Sequence, residues 1–241
     1  MSAVRRRPHT ARASDRTLDE WLRRVEAEYR SAALTQHLTL WLIQLGASPD
    51  LIDDGLRIVK DELAHADLSH RTYVAGGGNG APRIVRESLA LRRSRSPLEH
   101  DVLRTAVEVF CLGETVAVRL FKELRAGCRV ASARRALDRV LRDEVRHRDF
   151  GWQLFDWLLE QAYGVELREL ARSELPAMFG RLRALYAPAA ANETEISAAD
   201  REWGLMPTAR YGVILDNVLE RDYVPRFAAR GIDARSAWSR S

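Results

Sequence analysis

The chain contains the stretch Arg142-Asp143-Glu144-Val145-Arg146-His147 and an earlier counterpart, Lys60-Asp61-Glu62-Leu63-Ala64-His65. Both read Asp-Glu-x-x-His within strongly helical segments. Because residues three apart lie on one face of a helix, each glutamate points the same way as its histidine. Two such pairs that face each other across a bundle can ligate two metal ions, provided that two further helices each supply a glutamate.

The chain offers Glu28 and Glu114 as those two further glutamates. Each precedes a glycine turn that separates it from one Asp-Glu-x-x-His stretch, at Gly46 in the first half and Gly127 in the second. The two halves therefore form an internal repeat. At a rise of about 1.5 Å per residue, the four carboxylates fall at similar heights along the helices.

The candidate carboxylates lie in apolar helical stripes. Val107, Phe110 and Val118, for example, share the helix face of Glu114. A buried unpaired charge is costly, so these carboxylates call for a cation. Chance Glu-x-x-His pairs on the surface are the alternative. Two such pairs among only six histidines, each preceded by an aspartate, favour a metal site.

Two glutamates compete for the ligand position in the first helix. Glu28 shares its face with Ala32, Thr35 and Thr39, which predicts a roomy surface beside the metals. Glu26 lies near the same height on a neighbouring face. The spacing and the small residues favour Glu28, and Glu26 stays open.

The overall pattern predicts an all-α fold. Two antiparallel helical hairpins, joined by a long and mobile crossover over residues 76–96, would form a four-helix bundle. The bundle helices would cover about 17–47, 49–75, 97–126 and 131–163. One or two C-terminal helices would follow, over about 165–186 and 207–230. Trp203, Tyr211, Tyr223 and Phe227 would either line a pocket or serve in packing. The predicted divisions are a disordered basic tail (1–16), the di-metal bundle (17–163) and a helical extension packed on it (164–241).

The composition disfavours some classes of partner and location. The net charge is +4, and 36 of the 38 basic residues are arginine. These arginines are spread along every helix and nearly balanced by acidic residues, which disfavours a nucleic-acid partner. No apolar run approaches the ~20 residues of a membrane span, and the N-terminus lacks the apolar core of a signal peptide. With only Cys111 and Cys128, read as reduced thiols, the expected location is the cytoplasm.

The pattern Glu28 … Glu62-x-x-His65 … Glu114 … Glu144-x-x-His147 resembles that of the ferritin-like di-iron carboxylate superfamily, over roughly residues 17–163. Two further segments resemble bacterial ferritin-like domain proteins, and the first of them selects Glu28 over Glu26. They are Glu28-Tyr29-Arg30-Ser31-Ala32-Ala33 with Leu45-Gly46-Ala47-Ser48-Pro49, and Cys111-Leu112-Gly113-Glu114-Thr115-Val116.

The resemblance implies roles for the ligands. Glu62 and Glu144 would bridge two metals, Glu28 and Glu114 would be terminal ligands, and each metal would take one histidine, His65 or His147. In the similar Asp-Glu-x-Arg-His signature of di-iron hydroxylases, the aspartate orients a ligand histidine of the opposite hairpin. Asp61 and Asp143 are the candidates for that task. The chain departs from this pattern at Ala64, which stands where an arginine could be, and at Val118, which stands where hydroxylases carry a threonine.

The function implied is a non-haem di-iron oxygenase or oxidase acting on an organic substrate. Its partners would be O₂, an external electron donor and a small-molecule or carrier- or peptide-bound substrate, and a homodimer is compatible with it. The cofactors would be two Fe ions, although Mn or a mixed pair suits the same ligands. The alternatives are an iron-handling ferroxidase and, with less support, a tRNA-modifying hydroxylase.

Overall fold

The computed structural model describes residues 12–188 and 192–241, and within those ranges the protein is helical and has no strand. The predicted all-α class is confirmed. No helix in the described ranges is long and apolar enough to cross a membrane. The α-helices are α1 (Asp15–Gln44), α2 (Pro49–Ala75), α3 (Leu98–Thr105), α4 (Thr115–Gly127), α5 (Ala131–Glu160), α6 (Gly164–Tyr186), α7 (Ala198–Glu202), α8 (Ala209–Val218), α9 (Val224–Ala228) and α10 (Ala234–Ser239).

A tight turn joins α1 to α2 and makes them an antiparallel pair. Gly46 has a φ of 72°, a left-handed conformation that suits glycine at the end of a helix. The Ser48 side chain accepts a hydrogen bond from the backbone N–H of Leu51, and Pro49 occupies the first turn of α2. The predicted first hairpin is therefore present, and α1 packs along α2.

The crossover between α2 and α3 lies against α1. Its backbone N–H at Arg83 donates to the Glu26 carboxylate at 2.6 Å, and that at Leu91 donates to His37 Nδ1 at 3.0 Å. A short 3₁₀ turn, Arg86–Ser88, interrupts it. The sequence predicted a mobile connection, whereas these hydrogen bonds tie the segment to the first hairpin.

A π-helical segment, Ala106–Glu114, joins α3 to α4 in one continuous helix. The sequence predicted a helix over this span without indicating the π turn. Such turns shift the backbone hydrogen bonds and are frequent at functional sites. The buried hydroxyl of Tyr223 donates to the Leu112 carbonyl oxygen at 2.7 Å, and so provides a donor for a carbonyl of this segment.

Helix α5 packs against α2, the π-helical segment and α4. The approach is close at Gly151, where a Cβ would lie 2.4 Å from Phe110 Cβ and 2.8 Å from its carbonyl carbon. Only glycine leaves room for the π-helical segment at this point, so Gly151 sets the distance between the two helices.

The helix predicted from Pro207 to about Arg230 is present and continuous. It consists of α8, a π-helical segment (Leu219–Tyr223) and α9, with Pro225 in the first turn of α9. Helices α7 and α10 were not predicted. An aromatic cluster joins the extension to α5 and consists of Trp152, Phe155, Phe179, Tyr223, Phe227 and Trp238.

The start of the described chain is tied to the extension. The Ser14 and Thr17 hydroxyls donate to Asp200 at 2.5 and 2.8 Å. Asp15 and Arg16, which the sequence assigned to the basic tail, belong to α1. Residues 1–11 of that predicted tail lie outside the described residues.

Candidate metal centre

The structure brings all six predicted ligand side chains together. Their ligand atoms form two groups, and within each group all lie within 4.8 Å of one another. Every one of the six side chains is more than nine-tenths buried. The first group is Glu28, Glu62, His65 and Glu144, and the second is Glu62, Glu114 and His147.

Four helical elements position these side chains. Helix α1 carries Glu28, α2 carries Glu62 and His65, and α5 carries Glu144 and His147. Glu114 is the last residue of the π-helical segment. The helical spacing of three residues turns each glutamate of α2 and α5 toward its own histidine, as the sequence predicted.

The carboxylates of Glu62 and Glu144 lie between the two imidazoles. His65 Nδ1 is 3.4 Å from Glu62 Oε2 and 3.8 Å from Glu144 Oε1. His147 Nδ1 is 3.4 Å from Glu62 Oε1 and 3.3 Å from Glu144 Oε2. Each carboxylate therefore presents one oxygen to each histidine. Two cations, one beside each imidazole, could share both carboxylates in this arrangement.

The outer nitrogens of the imidazoles face aspartates of the opposite motif. His65 Nε2 lies 3.2 Å from Asp143 Oδ2, and His147 Nε2 lies 3.5 Å from Asp61 Oδ2. Each aspartate thus contacts the histidine of the other Asp-Glu-x-x-His stretch. Such contacts direct Nδ1 of both rings toward the carboxylates.

Two arginines of α5 hold both aspartates. Arg146 Nη2 lies 2.7 Å from Asp61 and 2.9 Å from Asp143. Arg139 Nη2 lies 2.9 Å from Asp61, and its Nε also contacts Asp143. Both aspartates are buried, so the two guanidinium groups balance their charge and fix their orientation.

Motif reasoning missed two of these supporting residues. Arg139 was not singled out, although it precedes Asp143 by one helical turn. Ser31 follows Glu28 by three residues, and its hydroxyl donates to Glu62 Oε1 at 2.8 Å. The helical spacing was the available signal for both, but it does not identify which neighbours reach across to another helix.

The buried ionisable groups of the cluster shift one another's pKa values. Burial raises the pKa of Glu28 and Glu114 well above the ordinary range, and the neighbouring carboxylate charges add to the effect. Burial also opposes ionisation of Glu62, yet the adjacent imidazoles outweigh it and lower its pKa. The pKa values of His65 and His147 are raised by the carboxylates in spite of burial. Without metal, protons therefore balance the cluster.

Several polar atoms at the centre have no hydrogen-bond partner among the described residues. They include one oxygen each of Glu62 and Glu144, and Nδ1 of both His65 and His147. Buried polar atoms are usually paired, because leaving one unpaired costs about 1–3 kcal/mol. Carboxylate oxygens and imidazole nitrogens are ligands for divalent metals, so this set of donors can hold metal ions.

The other polar candidates lie outside the cluster. Glu26, the alternative to Glu28, accepts the backbone N–H of Arg83 in the crossover. His37 accepts the N–H of Leu91, and His100 contacts Glu166 at 2.8 Å. None of these three belongs to either group of ligand atoms.

A cavity of about 630 Å³ opens beside the carboxylates. Glu28, Glu62, Glu114 and Glu144 line one part of it, and mostly apolar side chains line the rest. Further lining residues include Ala27, Ser31, Leu34, Ala117, Phe121, Leu182, Leu185 and Tyr186. The volume suits a small organic molecule.

The cavity does not lie where the sequence predicted it. The face formed by Ala32, Thr35 and Thr39 is buried and contributes nothing to the lining. A Cβ at Gly55 would lie 2.6 Å from Thr39 Oγ1, so α2 approaches α1 closely there. The roomy face is instead the one that carries Ala27, Ser31 and Leu34.

The predicted aromatic lining is also different. Trp203, Tyr223 and Phe227 are buried in packing and do not line this cavity, and Tyr211 lines a second one. The aromatic residues that do line it are Phe121 of α4 and Tyr186 at the end of α6. Burial, and then the charges of the cluster glutamates, raise the pKa of Tyr186, so its phenol remains a proton donor.

Comparison of the chain with protein-family models, curated proteins and solved structures gave no match. The residues and the geometry described above are therefore the basis for a functional proposal.

Proposed function

We propose that this protein is a non-haem di-iron oxygenase or oxidase built on a ferritin-like four-helix bundle. The four helices would be α1, α2, the continuous helix of α3 and α4, and α5. The observation that carries the proposal is the position of Glu62 and Glu144, each with one oxygen toward His65 and the other toward His147. Carboxylates placed in this way are suited to bridging two cations.

The ligand sets follow from the same geometry. Glu28 and His65 would serve one metal, Glu114 and His147 the other, and the two central carboxylates both. Oxygen-rich ligation without cysteine suits Fe(II) or Mn(II). Two Fe(II) ions bound there would supply electrons for the reduction of O₂.

The residues around the ligands have three tasks. Asp61 and Asp143 hold the imidazoles in one orientation, and the guanidinium groups of Arg139 and Arg146 hold the aspartates. The apolar wall of the 630 Å³ cavity limits water beside the carboxylates. Tyr186 lines the same cavity and can donate a proton or a hydrogen bond to a bound molecule.

The cavity favours an organic substrate over iron as substrate. A ferroxidase draws Fe²⁺ from solvent toward its centre, which negative charge along the entry would promote. Outside the four ligand carboxylates, however, the charged lining residues are Arg24, Arg30, Arg92, Arg181 and Glu108. Glu108 is paired with Arg181 at 2.5 Å, so the excess charge is positive. A cationic opening disfavours the ferroxidase alternative.

Metal loading and oxygen uptake test the proposal. Metal-free protein titrated anaerobically with Fe(II) is expected to bind two ions per chain. Exposure to O₂ with a reductant is then expected to give O₂ uptake that exceeds the iron present, because an oxygenase or oxidase turns over. Without a reductant, a retained di-iron centre is expected to take up O₂ once, whereas a ferroxidase would take up O₂ again with each further addition of Fe(II).

Two glutamate variants provide the comparison. Glu144→Gln is expected to abolish binding of at least one metal ion. Glu26→Gln, at a half-buried position of α1 outside both groups of ligand atoms, is expected to bind metal as the unmodified protein does. Absence of Fe(II) and Mn(II) binding in the unmodified protein, or equal loss in both variants, would contradict a dinuclear centre at this position.

A further inference from the structure

We propose that the cavity beside the carboxylate cluster contains a cationic subsite, formed by Arg24, Arg30 and Arg92, for an anionic group of the bound molecule. The molecule would be an amphiphile, with an apolar body toward the carboxylate cluster and a carboxylate or phosphate at the arginines. The claim that this molecule is the substrate rests on the proposed function. The claim that the protein binds it is independent of that function.

Arg24 is the buried, fixed part of the subsite. Its side chain is more than nine-tenths buried and lines the cavity, and its Nη1 has no acceptor among the described residues. The guanidinium stacks 4.5 Å from the ring of Trp21, and Nη2 lies 3.3 Å from the Gly204 carbonyl oxygen. Its nearest carboxylate, Glu20, is 3.6 Å away. The structure thus holds a buried cation in place and leaves one of its donors unused.

Arg30 and Arg92 supply two more positive charges from different segments. Arg30 lies on α1, and Arg92 lies on the crossover that is bound to α1. Both side chains are exposed and line the cavity, and neither has an ion-pair partner in the part of the chain that the structure describes. By contrast, the neighbouring Arg93 is paired with Asp101 at 3.0 Å. Arg30 and Arg92 are therefore free to bind an anion.

The remainder of the cavity determines what carries that anion. Leu34, Phe121 and Leu182 belong to an apolar wall of the cavity that the carboxylate cluster also lines. A small, fully hydrated anion would gain nothing from this wall, and an uncharged hydrocarbon would leave the arginines unpaired. A molecule with both parts satisfies the whole cavity.

A second cavity, of about 500 Å³, adjoins the first at the subsite. Arg24, Arg30 and Tyr186 line both. The second cavity is also bordered by Arg16 and Arg23, which are paired with Glu193 and Glu20. Two of the three arginines of the subsite, Arg24 and Arg30, therefore border both cavities, whereas the four carboxylates line only the first.

Binding of matched ten-carbon probes tests the inference. Calorimetric titration below the micellar concentration would compare decanoate, decyl phosphate, decanol and decylamine, on metal-free and on Fe(II)-loaded anaerobic protein. We expect at least one of the two anions to bind about tenfold more tightly than decanol and decylamine, and this preference to weaken with added salt. The comparison of decanoate with decyl phosphate identifies the anionic group.

Arginine variants locate the subsite. Arg30→Met and Arg92→Met, both at exposed positions, are each expected to weaken binding of the anionic probe about tenfold and to leave decanol binding unchanged. Arg86→Met is the matched control, since Arg86 is exposed on the same crossover and does not line the cavity. Arg24→Met is expected to have the largest effect, and its thermal unfolding shows whether the fold is kept.

The outcomes separate this inference from the proposed function. Equal affinity for the anionic probes and decanol, or anion binding that survives in both Arg30→Met and Arg92→Met, overturns the subsite even if the protein binds iron and consumes O₂. Arginine-dependent anion binding to a protein that binds no metal supports the subsite and overturns the di-iron proposal.

Discussion

His65 Nε2 lies 3.2 Å from Asp143 Oδ2, so the imidazole of one helical pair is oriented by a carboxylate of the other. The contact between His147 and Asp61 repeats this relationship in the opposite direction, at 3.5 Å. The two Asp-Glu-x-x-His stretches therefore complete each other, and neither forms a site alone. Because each aspartate contacts a ligand histidine, replacing an aspartate should change metal binding, as replacing a ligand would.

Replacing Asp143 with asparagine is expected to weaken metal binding about 10- to 100-fold, because the amide no longer holds the His65 ring and its tautomer as the carboxylate does. Competition of the bound metal with a chelator measures this. Asp138→Asn is the control, since Asp138 lies on the same helix in an exposed pair with Arg125. Equal affinity in the two variants would show that Asp143 does not orient the ligand.

Metal affinity is expected to fall as the pH is lowered. The raised pKa values of Glu28, Glu114 and both histidines mean that the metal-free cluster holds protons that a metal must displace. Titration of Mn(II) in two buffers of different ionisation enthalpy, between pH 6 and 8, would give the number of protons released. Binding that is independent of pH would contradict a protonated cluster.

The stability of the metal-free protein should change with pH in the opposite direction. The pKa of each cluster histidine in the folded state lies above the ordinary value of 6.5. The stabilisation that the protonated histidines give the folded state is therefore complete below pH 6.5. It is lost as the pH rises toward the folded pKa, because the folded state then binds more protons than the unfolded state. The melting temperature without metal is therefore expected to fall above pH 6.5, and a rise over that range would contradict the pKa directions.

Replacing Tyr223 with phenylalanine removes the hydroxyl that donates to the Leu112 carbonyl in the π-helical segment. The Leu112 carbonyl oxygen keeps the Thr115 backbone N–H as a donor. The loss is therefore that of one net hydrogen bond, about 0.5–1.5 kcal/mol in chemical denaturation. Metal affinity should fall as well if the π turn sets the position of Glu114. Tyr211→Phe is the control, because no hydrogen bond of its hydroxyl is present in the described residues. Similar stability of the two variants would exclude a structural role for the Tyr223 hydroxyl.

Replacing Gly151 with alanine is expected to separate α5 from the π-helical segment. The added Cβ would lie 2.4 Å from Phe110 Cβ, and relieving that overlap should cost roughly 1–3 kcal/mol of unfolding free energy. Gly180→Ala provides the contrast, since the nearest atom to its Cβ is 4.0 Å away and α6 should gain up to about 1 kcal/mol. Stabilisation by both changes would mean that the close approach at Gly151 is not constraining.

The sequence pattern predicted the helices well where apolar residues keep the helical period over a long segment. Helices α1, α2, α5 and α6 begin and end within a few residues of the predicted bounds, because Gly46, Ser48 and similar signals act on their own neighbours. The π turns were missed. The first has a distant partner, the Tyr223 hydroxyl that donates to the Leu112 carbonyl oxygen, which no local window contains.

The sequence by itself determined the all-α class, the candidate ligands and the direction in which each Glu-x-x-His pair points, because helical geometry relates residues three and four apart without reference to anything else. Only the tertiary structure decided which oxygens face which imidazole, that Arg139 and Arg146 hold both aspartates, and that the cavity opens beside Ala27, Ser31 and Leu34. Those relations join residues on different helices. Their distances depend on how the helices pack, as at Gly151, where an added Cβ would overlap Phe110.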